Sequence, residues 1–144
     1  MSTAYATRNP VVVGPGRKSV ILLVDGDLVY LDTVAHVLEL DGHCVLRATS
    51  GEAGLEIARR QQPDIIFLEV ALPGSGGMGL LRRLKSDPMT NDIPVVVVSG
   101  RCERHLIDDC RRLGAIDFVV KGMSVAATQG YAVKMFARHR SRGV

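Results

Sequence analysis

Four short β-branched and aliphatic runs, Val20–Val24, Ile65–Leu68, Val95–Val98 and Phe118–Val120, recur along the 144-residue chain, and each is followed by a residue able to do chemistry: Asp25, Glu69, Ser99 and Lys121. Stretches of helical period separate the runs. Strands that alternate with amphipathic helices imply a parallel sheet covered on both faces. In such sheets ligands sit outside the carboxyl ends of the strands. Four polar residues far apart in sequence are therefore expected to converge on one crevice.

The rest of the pattern fills in around these runs. After Val20–Val24, Asp27 caps a helix beginning near Leu28, with Leu31, Val34, Ala35 and Leu38 as its apolar stripe and Asp41-Gly42 as its stop. Cys44–Ala48 is a second strand. Ser50 and Glu52 open a second helix whose Leu55 and Ala58 face the sheet, and Gln61-Gln62-Pro63 ends it. A glycine-rich loop from Ala71 to Gly77 follows the third strand, and Leu80, Leu81 and Leu84 mark the next helix. Pro94 introduces the fourth strand, a helix runs roughly from Cys102 to Leu113, and Gly114 terminates it. The last helix runs from about Ser124 to Arg138 and is weakened by Gly130, at a cost of ~1 kcal/mol relative to alanine. Five strands thus alternate with five helices.

A hydrophobic content of 47% over this length suits one domain with a real core. Residues 1–18 read as a flexible arm, 19–140 as the domain and 141–144 as a basic tail. No stretch approaches the ~18 to 20 apolar residues of a membrane span, and the N-terminus lacks the apolar centre of a secretory signal, so a cytoplasmic location is expected. Three cysteines without CxxC spacing suit a reduced compartment. The helical spacing of Cys102, Leu106, Cys110 and Leu113 favours small buried hydrophobes over a metal site built from Cys102, His105 and Cys110.

The formal net charge of +3 is unevenly placed. Residues 1–18 and 123–144 carry seven Lys/Arg and no acids, whereas residues 19–122 carry eleven Lys/Arg against fifteen Asp/Glu, a difference of −4. The body is acidic and the ends are basic. Arg138, His139, Arg140 and Arg142 lack aromatic interleaving and any DNA-binding motif, so a solvated helix end is favoured over a nucleic-acid contact.

Val20 to Asp25, Pro63 to Glu69 with Leu72-Pro73-Gly74, Pro94 to Ser99, and Gly114 to Lys121 together resemble the receiver domain of bacterial two-component response regulators, in a degenerate form. The resemblance covers residues 19 to about 140. It implies a flavodoxin-like, doubly wound (βα)5 fold with a five-stranded parallel sheet of order 2-1-3-4-5. It also implies a phosphorylation site at the strand ends, where two acids after strand one and an aspartate after strand three hold Mg²⁺. That aspartate takes a phosphoryl group from a histidine kinase, and a Ser/Thr and a Lys contact the phosphate. Asp25 matches the first acid, Ser99 the hydroxyl, Lys121 the lysine and Phe118 the switch aromatic. Gly26 stands where the second acid belongs, Glu69 where the acceptor belongs, and Gly122 replaces the usual proline.

These departures have physical consequences. Mg²⁺ demands octahedral geometry and is held by one or two carboxylates plus phosphate oxygens, so losing one at Gly26 and lengthening another at Glu69 harms both ligand count and placement. Asp25 and Glu69 remain as weak metal candidates, with no dedicated cofactor and Mg²⁺ at most weakly bound. In-line phosphoryl transfer depends on positioning, and a displaced nucleophile reacts slowly. Glu69 extends its charge toward the place of a phosphoryl group, where Lys121 and Ser99 are expected to contact it.

The expected function is a non-enzymatic receiver that signals by binding a histidine kinase or a downstream effector through the face of helix 4, strand 5 and helix 5. The alternative is a phosphorylatable regulator. A nucleotide or flavin binder is a poorer fit, because Asp25-Gly26-Asp27 is acidic and offers no glycine-rich phosphate cradle.

Overall fold

The structure, a computed structural model, describes residues 19–72 and 76–131. The arm at 1–18, the loop residues Pro73, Gly74 and Ser75, the basic helix end at Arg138–Arg142 and the tail at 141–144 lie outside the described residues. The elements run β1 (Val20–Val24), α1 (Leu28–Leu40), β2 (Cys44–Ala48), α2 (Gly51–Gln61), β3 (Ile65–Leu68), α3 (Gly76–Ser86), β4 (Val95–Ser99), α4 (Arg104–Arg112) and β5 (Asp117–Val120). A 3-10 turn at Lys121–Met123 follows, and residues 124–131 are helical; this stretch is called α5 below. The five strands form one parallel sheet of order β2-β1-β3-β4-β5, as expected for the flavodoxin-like fold.

Every residue of β1, β3 and β4 is buried, because helices cover both faces of the sheet. Alternate side chains divide between two cores, as the two-residue period of a strand requires. Val20, Leu22, Val24, Ile66, Leu68, Val95 and Val97 pack with Leu55, Ile57, Leu80, Leu81 and Leu84 of α2 and α3. Ile21, Leu23, Ile65, Phe67, Val96 and Val98 pack with Leu31, Val34, Ala35 and Leu38 of α1. Each large aliphatic side chain so buried contributes roughly 1.5 to 3 kcal/mol.

The helix ends follow local chemistry. Asp27 accepts the Tyr30 N–H at 3.1 Å, and Ser50 accepts the Ala53 N–H at 3.2 Å. Gln62 closes α2 in the left-handed region at φ 49°, and its side-chain amide donates to the carbonyls of Ala58, Arg59 and Met89. These bonds hold a non-glycine residue where the helix must stop.

Three readings of the sequence are corrected. α3 begins at Gly76, inside the stretch assigned to a loop. α4 begins at Arg104, not Cys102: Glu103 is extended, accepts from the Arg101 guanidinium at 2.5 Å and makes no side-chain cap bond. Cys102 is consequently exposed outside the helix, contrary to its expected burial, whereas Cys110 is buried 3.8 Å from the Met78 sulfur. Burial, then Asp109, pushes the Cys110 thiol up to about 11.

Gly130 is exposed within helical residues 124–131, and an added Cβ meets nothing within 4 Å. Gly130→Ala is expected to raise stability by about 0.5 to 1 kcal/mol, read as a rise in the denaturation midpoint at unchanged slope.

Candidate functional site

The parallel sheet delivers the ends of β1, β3, β4 and β5 to one edge, and with them Asp25, Glu69, Ser99 and Lys121. Asp25, Glu69 and Ser99 are buried, and the Lys121 side chain is partly covered. The Lys121 ammonium lies 2.8 Å from Asp25 Oδ2 and 3.6 Å from Glu69 Oε1. It therefore sits between two buried carboxylates, and the three groups carry a formal net charge of −1.

The other carboxylate oxygens are occupied by backbone. Asp25 Oδ1 accepts the Asp27 N–H at 2.9 Å, and Glu69 Oε2 accepts the Ala71 N–H at 2.9 Å. Each acid thus turns back on its own loop with one oxygen and faces Lys121 with the other. Burial works to lower the Lys121 pKa, but Asp25 and Glu69 outweigh it and hold the ammonium above the ordinary lysine range.

Ser99 behaves differently from expectation. Its hydroxyl accepts the Arg101 N–H at 3.1 Å, a turn contact at the end of β4, and makes no bond to Glu69. The expected pairing of Glu69 with both Lys121 and Ser99 is thus met by Lys121 alone, and at a longer distance than Lys121 keeps from Asp25. With Oε2 of Glu69 held by the Ala71 N–H, Oε1 is the oxygen that faces the lysine.

Gly26 leaves space beside Asp25. A Cβ built there meets only Leu72 Cδ2, at 3.7 Å, an ordinary contact. Phe118 is partly buried against the core beneath α2 and α3. Among the described residues no group of three or more His, Cys, Asp or Glu side chains could hold a metal ion. Two carboxylates that already share one lysine ammonium fit Mg²⁺ poorly, since an ion would have to displace that ammonium.

Two residues at the site escaped the sequence reading. The Tyr30 ring lies under the Lys121 ammonium, 4.3 Å from ring centroid to nitrogen, and its hydroxyl meets Ser124 Oγ at 2.5 Å. Tyr30 stands one position from the apolar stripe of α1, and nothing in local spacing links it to a residue 94 positions away.

Comparison with known proteins points in one direction. Residues 21–130 match the family described as the response regulator receiver domain. Protein PilH of Pseudomonas aeruginosa is 33% identical over 101 residues, covering 70% of this chain and 84% of PilH. The phosphate regulon transcriptional regulatory protein PhoB of the same organism is 33% identical over 104 residues, which are 72% of this chain but 45% of PhoB. The transcriptional regulatory protein AfsQ1 of Streptomyces coelicolor is 36% identical over 105 residues, covering 70% of this chain and 44% of AfsQ1. The chain therefore spans less than half the length of these two transcriptional relatives. Among solved structures, the Mn(2+)-bound form of response regulator Rcp1 superposes with a TM-score of 0.65 at 25% identity, over 72% of this chain and 81% of Rcp1. A CheY-like receiver domain protein from Methanospirillum hungatei JF-1 superposes at 0.77 over 87% of this chain and 98% of its own, and at 19% identity it speaks for the fold alone.

Proposed function

The chain belongs to the response regulator receiver family, whose domains signal in two-component systems, and from that premise we propose that this one signals by protein–protein contact without an aspartyl-phosphate cycle. The observation that carries the reading is the Lys121 ammonium between Asp25 and Glu69, with no carboxylate at Gly26. Glu69 supplies a permanent negative charge where the family places an acceptor aspartate. Lys121 then stays engaged without a phosphoryl group, and the adjoining elements stay in one arrangement.

Neither nucleophilic nor redox chemistry is assigned to the crevice, and Mg²⁺ binds it weakly at most. The partner, a histidine kinase or a downstream effector, docks on α4, β5 and α5. Exposed Ile116, Val120, Met123 and Val125 on and beside β5 supply an apolar surface for that contact. No described helix is long and apolar enough to cross a membrane. The cytoplasm is the place of action this reading implies.

The test is Glu69→Gln, which removes the charge and keeps the shape. Amide chemical shifts of residues 100–113 and 118–131 are expected to move, with the thermal midpoint within a few degrees of the parent. Changes restricted to the immediate neighbours of position 69 would leave Glu69 as a space-filling anion and end this reading.

A further inference from the structure

We propose that Tyr30 is a positioning residue that grips Lys121 at both ends and ties the charged centre to the start of α5. One end is the ammonium, which lies over the Tyr30 ring at 4.3 Å, close enough for attraction between the cation and the ring face. The other end is the Lys121 carbonyl, reached through a relay of hydroxyls. Ser124 Oγ donates to the Lys121 carbonyl at 2.7 Å. A serine hydroxyl has one proton, so the 2.5 Å contact between Tyr30 and Ser124 must have the tyrosine as donor.

The resulting chain runs from the Tyr30 O–H to Ser124 Oγ, and from the Ser124 O–H to the Lys121 carbonyl. The Ser124 carbonyl in turn accepts the Thr128 hydroxyl, which carries the same connection one turn into α5. Ser124 and Thr128 are buried polar residues, and these bonds satisfy them. Burial also raises the Tyr30 phenol above its ordinary range, so the donor keeps its proton at neutral pH. Tyr30 belongs to α1, whose stripe is fixed in the sheet core by Leu31 and Val34. A rigid element therefore holds the lysine, and any displacement of Lys121 pulls on Ser124.

The role rests on the reading of Asp25, Glu69 and Lys121 as a signalling centre, but its test needs no kinase, donor or partner. In the unmodified protein the Lys121 Hε protons are expected to resonate upfield of ordinary lysines, because the ammonium they adjoin lies over the Tyr30 ring. Tyr30→Phe should keep that displacement, and Tyr30→Leu should abolish it. Tyr30→Phe should also speed amide exchange at residues 124–128 by about fivefold, the order expected for one lost hydrogen bond. Exchange at Val20–Val24 and Ile65–Leu68 should stay unchanged. An unshifted Lys121 in the parent, an exchange profile indifferent to Tyr30→Phe, or a uniform rise across the sheet would each overturn the assignment. Failure of the Glu69→Gln experiment with these results intact would remove the signalling reading and leave the strut.

Discussion

Acyl-phosphate donors with Mg²⁺ are expected to leave this chain essentially unmodified, while the double variant Gly26→Asp with Glu69→Asp gains a hydroxylamine-labile phosphoryl group. The difference should be at least ~100-fold in rate, since a misplacement of about 1 Å costs that much in a reaction governed by positioning. Glu69 is misplaced by its extra methylene and by the Ala71 N–H on its Oε2. The missing acid at Gly26 leaves the site one carboxylate short, and the 3.7 Å clearance to Leu72 lets an aspartate fit there without displacing the core. The same variant should bind Mg²⁺ more tightly by calorimetry, because a third carboxylate lets the ion compete with Lys121. Rapid adduct formation on the unaltered chain, followed by intact mass, would favour the phosphorylatable regulator instead.

Among the described glycines with a neighbour near the added Cβ, Gly77→Ala is expected to be the most damaging. A Cβ at Gly77 falls 2.2 Å from Val70 Cα and 2.4 Å from both the Val70 carbonyl carbon and its oxygen. These are backbone atoms, which cannot step aside as a flexible side chain does. Either α3 lifts from the sheet or the segment after β3 moves, and that segment carries Glu69 and Ala71. The cost should be about 1 to 3 kcal/mol or more, lowering the thermal midpoint by roughly 5 to 15 °C. Gly122→Ala, whose Cβ meets nothing within 4 Å, should change it little and serves as the control. Equal midpoints for the two variants would mean that the approach of Gly77 to Val70 is relieved at no cost.

The strands were readable because β1, β3 and β4 are buried on both faces, and full burial writes itself as an unbroken aliphatic run. Asp27 and Ser50 were readable as caps for a similar reason, since each satisfies a local N–H whose position the helix dictates. The start of α4 was not. It depends on whether Glu103 bonds the helix or Arg101, a choice between two exposed contacts of similar worth. At the site, strand ends and chain order marked Asp25, Glu69, Ser99 and Lys121, yet the division of Lys121 between the two acids turns on which oxygens the neighbouring amides occupy. Tyr30 was invisible for a stronger reason: its two partners, Lys121 and Ser124, become neighbours only when α1 and the end of β5 meet.

The strand order also bears on how the chain acquires its structure. Lys121 reaches Asp25 across 96 residues, the difference of their positions, and only after β3 and β4 have taken their places between β1 and β5. Closing such distant contacts is slow, and the charged centre can form only once the sheet beneath it exists. Its interactions should therefore be absent from the folding transition state. Substitutions at Lys121 or Glu69 should then quicken unfolding while leaving the refolding rate nearly untouched, whereas trimming Leu22 or Ile66 in the sheet core should slow refolding. The charged crevice should then be the last part of the domain to assemble and the first to come apart.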